Sequence, residues 1–344
     1  MTADQGPICI IGQGIAGTNL AWSCYLNDIP FRIFDDGHMS ASSKAAAGLF
    51  NPMILKRRRL AWKAKECFEP LAGFYHRIEG IIGQRFFYPS GIWRRMTSME
   101  EVNDWQGLQE NMGFAPFLGR QAKDLGVSGR LDAPFGFQEV TQAGFVRTDE
   151  FMSLSRRHFE DQGAYHRETV DEQGIEDLAE SASAVVLARG LAEQHHKTHF
   201  GALPFSPAKG HTIEIYSPEL KLGHIIKGPC FIIPLGEDRY RIGSTYSWTG
   251  LDRGVEKSEV EKLEGMLRSF VDCSYEISEE WAGVRPATKD RRPLIGRSDV
   301  DKRIVLFNGF GSRALMTTPV LSQHLLDHLF KGTELWSEVD RHRT

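Results

Sequence analysis

Several features that define whole classes of proteins are missing from this sequence. No apolar run approaches the about 18 residues that a membrane-spanning helix needs. The N-terminal residues 1–6 are polar and acidic, unlike a secretory signal peptide. No Cys-x-x-Cys pair occurs, so neither a disulfide framework nor a zinc site is expected from the five scattered cysteines, which are Cys9, Cys24, Cys67, Cys230 and Cys273. We expect a cytoplasmic protein with free thiols, no metal and no membrane contact.

Positive charge is not in excess either. The chain has 41 Lys and Arg against 45 Asp and Glu, a formal net charge of −4. A dedicated nucleic-acid-binding protein is therefore not favoured, although a local basic patch is not excluded. Apolar residues make up 41% and charged residues 25% of the 344 residues, as in ordinary globular proteins. Glycine is the exception, with 34 residues, or about 10% against the usual ~7%. Such an excess indicates tight turns or a close approach of backbone to a ligand.

The first glycine cluster follows a predicted strand. Residues 8–11 form a short apolar run typical of a strand that is buried on both faces. The sequence Gly-Gln-Gly-Ile-Ala-Gly follows at 12–17, and the apolar spacing over 20–26 predicts a helix that ends near Asn27. This order is typical of a dinucleotide-binding unit.

Each part of that unit has a physical role. Gly12 permits the tight turn, Gly14 lets the backbone approach a pyrophosphate, and Gly17 lets the helix pack on the strand. The N–H groups at the helix N-terminus, those of Ile15 and Ala16 among them, face the phosphates. Turn glycines without a ligand are the alternative, and the complete order argues against it.

A second predicted strand, over residues 31–34, ends at Asp35, 18 residues after Gly17. A carboxylate at this point accepts hydrogen bonds from both ribose hydroxyls of an adenosine and repels a 2′-phosphate. FAD or NAD is therefore favoured over NADP. Asp36 is the adjacent candidate, and strand alternation does not choose between the two.

The stretch after this acid favours FAD over NAD. Residues 40–52 crowd small side chains together, and a dehydrogenase that binds only NAD would more usually continue with an ordinary helix. The candidates for a second phosphate contact and for close approach to a ring system are Ser42, Ser43, Ala47 and Gly48. The alternative is a flexible loop rich in serine and alanine.

Two later blocks repeat the pattern of a strand that runs into glycine. Residues 184–190 form another buried-strand pattern that ends in Gly190, and residues 303–307 predict a strand before the junction Gly309-Phe310-Gly311-Ser312-Arg313. The helix that follows is predicted to begin near Thr317 or Thr318, because Pro319 is tolerated in a first turn but not deep inside a helix. Its N-terminus would favour partial negative charge.

Together these blocks resemble the FAD-dependent D-amino-acid oxidase superfamily, which includes glycine oxidase, sarcosine oxidase and the oxidase domain of the bifunctional tRNA wobble-uridine enzyme. The resemblance involves residues 12–35, 42–52, 185–190 and 281–330 in the family's order. Residues 241–246 and 311–313 are similar to the branch of glycine oxidase and the tRNA enzyme. Two positions depart from the family pattern: Ala314 replaces the last glycine of Gly-Ser-Arg-Gly, and Arg189 replaces the threonine of Ala-Thr-Gly.

The resemblance implies an α/β (α+β) fold with a Rossmann-like FAD-binding domain and a discontinuous substrate domain built on an antiparallel sheet. The FAD-binding domain would take residues 1–82, 143–205 and 282–344, and the substrate domain residues 83–142 and 206–281. Strand patterns at 211–216, 230–234 and 240–243 agree with antiparallel hairpins. Residues 255–270 have helical periodicity.

The resemblance also implies oxidation of the C–N bond of a small amine or N-substituted amino acid similar to glycine or sarcosine. Hydride would pass to flavin N5, the imine would hydrolyse, and oxygen would reoxidise the flavin. The FAD is expected to be non-covalent, because the tethering cysteine of monomeric sarcosine oxidases follows the last arginine–proline block and no cysteine follows Arg285 here.

Four residues are candidates for the substrate site. Arg285 is the first, because the family often holds a substrate carboxylate with this arginine and its planar fork suits a carboxylate; a structural pairing with Asp290 is the alternative. Arg313 would lie at the junction near the flavin, and Lys209 would face the flavin edge. Tyr246 would offer a hydroxyl to the substrate, or would be a half-buried strand tyrosine. Two such arginines argue against a flavin-binding protein without turnover. Trp248 and Trp281 are expected in the core rather than in the pocket.

A basic cluster leaves a second substrate open. Six basic residues fall within ten positions, namely Lys56, Arg57, Arg58, Arg59, Lys63 and Lys65. A solvated face is the ordinary interpretation of such a run. The alternative is that it contacts the phosphates of a tRNA whose carboxymethylaminomethyl base is an N-substituted glycine. The net charge of −4 weakens this alternative, and the sequence does not determine the oligomeric state.

Overall fold

A computed structural model describes residues 6–37, 41–126, 130–251 and 254–343. The strands in these residues are β1 (Ile8–Ile11), β2 (Phe31–Asp35), β3 (Leu49–Phe50), β4 (Met53–Ile54), β5 (Arg59–Leu60), β6 (Phe87–Pro89), β7 (Ile92–Arg95), β8 (Leu118–Ala122), β9 (Phe137–Val140), β10 (Gly144–Val146), β11 (Tyr165–Arg167), β12 (Ala184–Leu187), β13 (Ala208–Tyr216), β14 (Ile225–Lys227), β15 (Phe231–Gly236), β16 (Arg239–Gly243), β17 (Glu276–Arg285), β18 (Leu294–Arg297) and β19 (Ile304–Asn308). The helices are α1 (Ile15–Leu26), α2 (Ala41–Lys44), α3 (Ala64–Ile82), α4 (Met99–Gln109), α5 (Thr148–Asp161), α6 (Glu172–Ser181), α7 (Lys257–Arg268) and α8 (Ala314–Lys331).

A six-stranded sheet gathers the glycine-bearing strands in the order β11-β2-β1-β12-β19-β18. All neighbours are parallel except β18 and β19. Because parallel strands end at the same edge of a sheet, the residues that follow β1, β12 and β19 meet at one edge. The three predicted glycine junctions therefore come together, although they lie far apart in the sequence.

Both faces of this sheet are covered, which explains the continuous apolar runs of its strands. Ile8 and Ile10 of β1 point into the core shared with α1, α3, α5 and α8. Cys9 and Ile11 point to the other side, where they meet α6. All five cysteines are free thiols, and only Cys273 is partly exposed.

An eight-stranded sheet has the order β17-β13-β16-β15-β14-β7-β9-β8. Its pairings are antiparallel except between β14 and β7. One face packs on α7, where Ile213 of β13 is buried with Leu263 and Leu267. Helix α2 and the residues after it lie against the other face, since Thr212 Oγ1 donates a hydrogen bond to the Ala45 carbonyl at 3.2 Å.

The mixed α/β architecture agrees with the sequence prediction. The predicted start of the last helix does not. Helix α8 begins at Ala314, so Pro319 lies inside it, and the predicted start near Thr317 or Thr318 is wrong. A proline at 319 leaves the Leu315 carbonyl without its helical N–H partner. The hydroxyl of the fully buried Tyr75 on α3 donates to that carbonyl at 2.9 Å instead.

Strand pairing crosses the predicted domain division at two places. Strands of the six-stranded sheet lie within residues 1–82, 143–205 and 282–344, but β17 of the eight-stranded sheet continues to Arg285. Strand β6, within the predicted substrate segment 83–142, pairs with β10 of the other predicted domain. The division stays a prediction. Within the part of the chain that the structure describes, no helix has the length and apolarity needed to cross a membrane.

Candidate active site

The first glycine loop combines two glycines that the fold requires with one that leaves room for a ligand. Gly12 has φ +101°, and a Cβ there would lie 2.9 Å from the Ala188 carbonyl oxygen. A Cβ on Gly17 would overlap the carbonyl oxygen of Gly12. Gly14 differs, because it has an ordinary φ of −77° and a Cβ placed on it would have no described atom within 4 Å. The open side of this loop is therefore at Gly14.

Helix α1 begins at this opening. Gly14 is its N-cap residue, and among the described residues no side chain caps the helix and no acid lies in its first turn. The first-turn N–H groups, which include those of Ile15 and Ala16, have no acceptor within the helix. They form a site for an anion at the positive end of the helix dipole.

The structure brings Asp35 to the glycine loop. Its Oδ2 accepts a hydrogen bond from the Gln13 N–H at 2.7 Å, and its Oδ1 accepts from the Gly37 N–H at 2.9 Å. Arg156 also donates to Oδ1, at 3.3 Å. A carboxylate oxygen has two lone-pair directions, so Oδ2 can accept one more bond, as from a ribose hydroxyl. Asp36, the other candidate, is exposed.

Sequence reasoning missed Gln13 and Arg156. Gln13 is 2% exposed, and its Oε1 accepts a hydrogen bond from Arg156 Nε at 2.6 Å. Arg156 comes from α5, far along the chain, so only the tertiary structure places it beside Asp35. The two residues fix the position of the carboxylate.

The small-residue stretch is tied to the surrounding strands over residues 41–48. Ser42 Oγ donates to the Val284 carbonyl at 2.5 Å, and the carbonyl of the buried Ser43 accepts from Thr148 Oγ1 at 3.1 Å. These bonds join the stretch to β17 and α5. The alternative interpretation, a flexible loop rich in serine and alanine, does not agree with these hydrogen bonds.

The end of the same stretch also approaches neighbouring backbone closely. Gly48 has φ +70°, and a Cβ there would overlap the Val146 carbonyl oxygen of β10. Ala47, just before it, is partly exposed. The requirement for glycine at position 48 is therefore explained by the fold, and a cofactor contact at Ala47 stays a prediction.

The other two glycine junctions contact each other. Asn308 Nδ2 donates to the Gly190 carbonyl at 2.9 Å, and Asn308 Oδ1 accepts from the Gly309 N–H at 2.7 Å. Gly311 has φ +55° and would place a Cβ 3.2 Å from that of Ala287. Ser312, which follows, is exposed. This contact brings the N-terminus of α8 to the same edge as the first loop.

Arg189, the departure from the family pattern, has a structural partner. Its Nε donates to Glu193 Oε2 at 2.8 Å, and the Glu193 side chain is 1% exposed. A buried acid needs such a partner, because an unpaired carboxylate is costly to bury. The arginine at 189 is therefore explained by the acid four residues later.

Arg285 lies at the end of β17 among three neighbours. Its Nη2 donates to Ser244 Oγ at 2.9 Å, and its guanidinium lies 4.3 Å from the centre of the Tyr246 ring. The guanidinium also lies against Gly210, where a Cβ would overlap it. These contacts hold the fork in one orientation.

The same guanidinium lacks a counterion among the described residues. Nη1 is buried and has no hydrogen-bond partner, and burial lowers the pKa of Arg285. The alternative, a structural pairing with Asp290, is not observed: within the described residues Arg285 makes no ion pair, and the Asp290 carboxylate is bound by Arg343 at 2.7 Å. A buried cation with an unused donor is suited to bind an anionic group of a ligand.

Arg313 is a second arginine near Tyr246. It follows the Gly309–Gly311 junction and, within the described chain, makes no side-chain ion pair. Burial lowers its pKa, and the neighbouring phenol of Tyr246 opposes this change. Tyr246 itself is 49% exposed, so it is a tyrosine at the rim of the site.

Lys209 lies on the other face of β13 from Gly210, because side chains alternate along a strand. It is fully buried and forms an ion pair with Glu256. A contact with the flavin edge stays a prediction.

The basic cluster lies on the hairpin formed by β4 and β5. Its four consecutive cations, Lys56, Arg57, Arg58 and Arg59, are all exposed. Arg58 pairs with Asp104 at 2.9 Å. Contact with a nucleic acid is not required to explain this arrangement.

The residues of the nucleotide half of this site fit FAD. The open space at Gly14, the uncapped N-terminus of α1 and the free acceptor direction of Asp35 form a cradle for a pyrophosphate and a ribose.

Comparisons with known proteins agree with this assignment. The chain is 28% identical over 347 residues to glycine oxidase of Bacillus subtilis (strain 168), covering 92% of this chain and 91% of that protein. The solved structure of glycine oxidase from Geobacillus kaustophilus superposes with a TM-score of 0.77 at 20% identity, covering 97% of this chain and 96% of that one. Iminodiacetate oxidase from Chelativorans sp. BNC1 gives a TM-score of 0.76 at 17% identity, covering 95% and 96%.

The family assignment rests on the match to a family model. The family model described as FAD dependent oxidoreductase (DAO) matches residues 7–328, which include all three glycine junctions, Arg285 and Arg313. The chain therefore belongs to the DAO family of FAD-dependent oxidoreductases.

Proposed function

We propose that this oxidoreductase acts on the C–N bond of a small amine that carries a carboxylate, such as glycine or an N-substituted glycine. The observation that supports this substrate class is the buried Nη1 atom of Arg285, which has no acceptor in the described residues. The names of two relatives, glycine oxidase and iminodiacetate oxidase, refer to amines of this kind.

We assign the cofactor-binding role to the glycine junctions. FAD would be held by the N–H groups of Gly14 to Gly17, by the Asp35 carboxylate and by the backbone around Ser42 to Gly48 and around Gly190. The Gly309–Arg313 junction would add the N-terminus of α8, where partial negative charge is favoured. When bound, FAD supplies the acceptor for the hydride that leaves the substrate carbon.

The chain's own residues bind and orient the substrate. Arg285 would bind the carboxylate with charge-assisted hydrogen bonds, and Ser244, Gly210 and Tyr246 prevent its fork from turning. Orientation of this kind accounts for a large part of catalysis when the cofactor carries out the chemistry. Arg313 adds positive charge on the side of the α8 N-terminus.

The proposal is tested by mixing the FAD-loaded protein with amines in the absence of oxygen. Sarcosine, glycine and iminodiacetate should bleach the visible flavin absorbance, whereas methylamine and dimethylamine, which lack a carboxylate, should not. Equal bleaching by the amines without a carboxylate would contradict the assigned role of Arg285. If only dithionite bleached the flavin, a flavin-binding protein without amine oxidation would be indicated.

The same experiment with bulk tRNA examines the alternative substrate. We expect no bleaching, because the chain has no excess of positive charge and Arg58 of the basic hairpin already has a carboxylate partner. Bleaching by tRNA that weakened steeply with salt would instead favour phosphate contacts at Lys56, Arg57 and Arg59.

A further inference from the structure

Two of the residues that contact Arg285, Ser244 and Tyr246, belong to a segment that runs beside β13. This segment, residues 244–251, follows β16 and is hereafter the Tyr246 segment. Its backbone pairs with β13 through two hydrogen bonds between Lys209 and Ser247, at 2.8 and 3.0 Å. The Thr245 N–H also donates to the His211 carbonyl, at 3.3 Å. The segment therefore continues the sheet beyond β16.

Side chains along this segment alternate between two faces. Ser244 and Tyr246 contact Arg285, and Thr245 between them points to His211. Thr245 Oγ1 accepts a hydrogen bond from the His211 N–H at 3.0 Å and lies 3.1 Å from His211 Nδ1. Because the side-chain period of a strand is two, anchoring Thr245 on one face fixes Ser244 and Tyr246 on the other.

His211 holds the chain beyond the segment as well. Its Nε2 accepts a hydrogen bond from the Glu256 N–H at 3.2 Å. An imidazole nitrogen that accepts carries no proton, so the hydrogen-bond network assigns the proton to Nδ1, which donates to Thr245 Oγ1. One neutral imidazole thus connects β13 to Thr245 before the exposed part of the loop and to Glu256 after it.

The charged groups around His211 come from three elements. Lys209 lies on the same strand, Glu256 and Glu259 lie at the start of α7, and Arg285 lies on β17. His211 is fully buried. Burial, followed by the cation of Lys209, lowers its pKa, which agrees with the neutral form that the hydrogen bonds require.

We propose that His211 is a positioning residue for the carboxylate site: its two ring nitrogens fix both ends of the loop that carries Tyr246 and so hold Ser244 and Tyr246 against Arg285. His211 contacts neither the substrate carboxylate nor Arg285 in this role. The inference rests on the proposed function for the identity of the carboxylate, and on the hydrogen bonds alone for the attachment of the loop.

The test compares His211→Ala, His211→Gln and the control Ile213→Val in the FAD-loaded protein. Glutamine carries one acceptor and one donor in its amide, so it can restore both attachments. Ile213 is buried on the same strand and the same face as His211, and its shortening affects packing without a hydrogen bond to the loop. Two quantities are measured: amide hydrogen exchange of residues 244–251, and the affinity for acetate by calorimetry. Acetate has a carboxylate but no C–N bond, so its binding does not depend on turnover.

We expect His211→Ala to accelerate exchange in residues 244–251 and to weaken acetate binding about tenfold, the loss that corresponds to about one charge-assisted hydrogen bond. His211→Gln should restore both quantities, and Ile213→Val should leave both at the wild-type level. If the alanine variant does not fold, Thr245→Val removes the acceptor of Nδ1 and of the His211 backbone N–H but keeps the bond from the Glu256 N–H to Nε2, and it should also accelerate exchange and weaken acetate binding.

Lowering the pH gives an independent readout. Protonation of Nε2 removes the acceptor for the Glu256 N–H, so the wild-type affinity for acetate should fall as His211 becomes charged. Because the pKa of His211 is lowered, this fall should occur at a pH below the usual titration range of histidine. The glutamine variant should lack this part of the pH profile, because its amide does not titrate.

Two results would overturn the inference. Unchanged exchange in His211→Ala would show that the imidazole does not hold the loop. Faster exchange with unchanged acetate affinity would show that the loop does not position Arg285. Failure of the proposed function gives a different result, namely a wild-type protein that binds acetate while no amine bleaches its flavin.

Discussion

Replacement of Arg285 by methionine removes the guanidinium and keeps a flexible apolar chain of similar reach. In the wild type, Nη2 donates to Ser244 at 2.9 Å and the buried Nη1 has no partner within the described residues. A substrate carboxylate would therefore gain donors that no protein group uses. The variant should lose this interaction and leave Ser244 with one hydrogen bond fewer.

The expected loss follows from the hydrogen bonds available. A hydrogen bond to a charged group contributes about 1.5–3 kcal/mol, and the planar fork allows two. The loss is thus about 3–6 kcal/mol, which corresponds to a factor of about 10² to 10⁴ in kcat/KM, because each tenfold is about 1.4 kcal/mol. Arg285→Lys should recover part of it, since lysine keeps the charge but not the fork.

The assay is anaerobic flavin reduction by sarcosine over a range of concentrations. The matched control is Arg94→Met, which removes another largely buried arginine of the same sheet, one paired with Glu101 at 2.7 Å. Arg94 lies on β7, five strands from β17, or about 24 Å at the usual ~4.8 Å strand spacing. It should leave sarcosine oxidation nearly unchanged.

One pattern would refute the reasoning. If Arg285→Met reduced its flavin with sarcosine as fast as the control Arg94→Met does, the arginine would not bind the substrate carboxylate.

Three further outcomes are expected. Gly14→Val should abolish flavin retention while the chain still folds, because nothing described lies within 4 Å of the new Cβ; flavin absorbance per protein and circular dichroism measure this, and the matched Gly73→Val, with equally open space, should stay yellow. Tyr75→Phe should lower the free energy of unfolding by about 1–2 kcal/mol in denaturant titrations, because it leaves the Leu315 carbonyl without a hydrogen-bond donor. An unchanged midpoint of the denaturant titration would contradict this role of Tyr75. The pKa of Asp290 is lowered to about 2, where its burial is outweighed by hydrogen bonds from an arginine and from backbone, so its contribution to stability is present above the unfolded value of about 3.9 and is lost as the pH falls towards 2. The stability difference between wild type and Asp290→Asn should shrink over that pH range, and a difference that persisted at pH 2 would exclude the linkage.

Local patterns predict the nucleotide half of the site well because its parts are contiguous. The predicted strand 8–11 has the bounds of β1, and the pattern at 184–190 contains β12, which ends three residues earlier at Leu187. A short apolar run that ends in glycine is typical of a buried strand. Helix α1 ends at Leu26, next to the predicted Asn27. The helix predicted over 255–270 is observed as α7, Lys257–Arg268.

Local sequence patterns give wrong predictions where the structure depends on a side chain that is distant in the sequence. The start of α8 depends on Tyr75, 240 residues from the carbonyl that it satisfies. The prediction that Trp248 lies in the core is wrong, because this residue is on the outer part of the Tyr246 segment and is 62% exposed. The alternative pairing of Arg285 with Asp290 is excluded only by the position of Arg343.

The sequence by itself determined that this chain holds a dinucleotide. Turn, helix N-terminus and acid lie within residues 12–35, so their order and spacing can be recognised without knowing a distant partner. The tertiary structure decided which side chains complete the substrate half. Gly210, Ser244, Tyr246 and Arg285 come from different strands and loops, and whether a guanidinium is paired or free depends on every neighbour that the fold brings within a few ångströms.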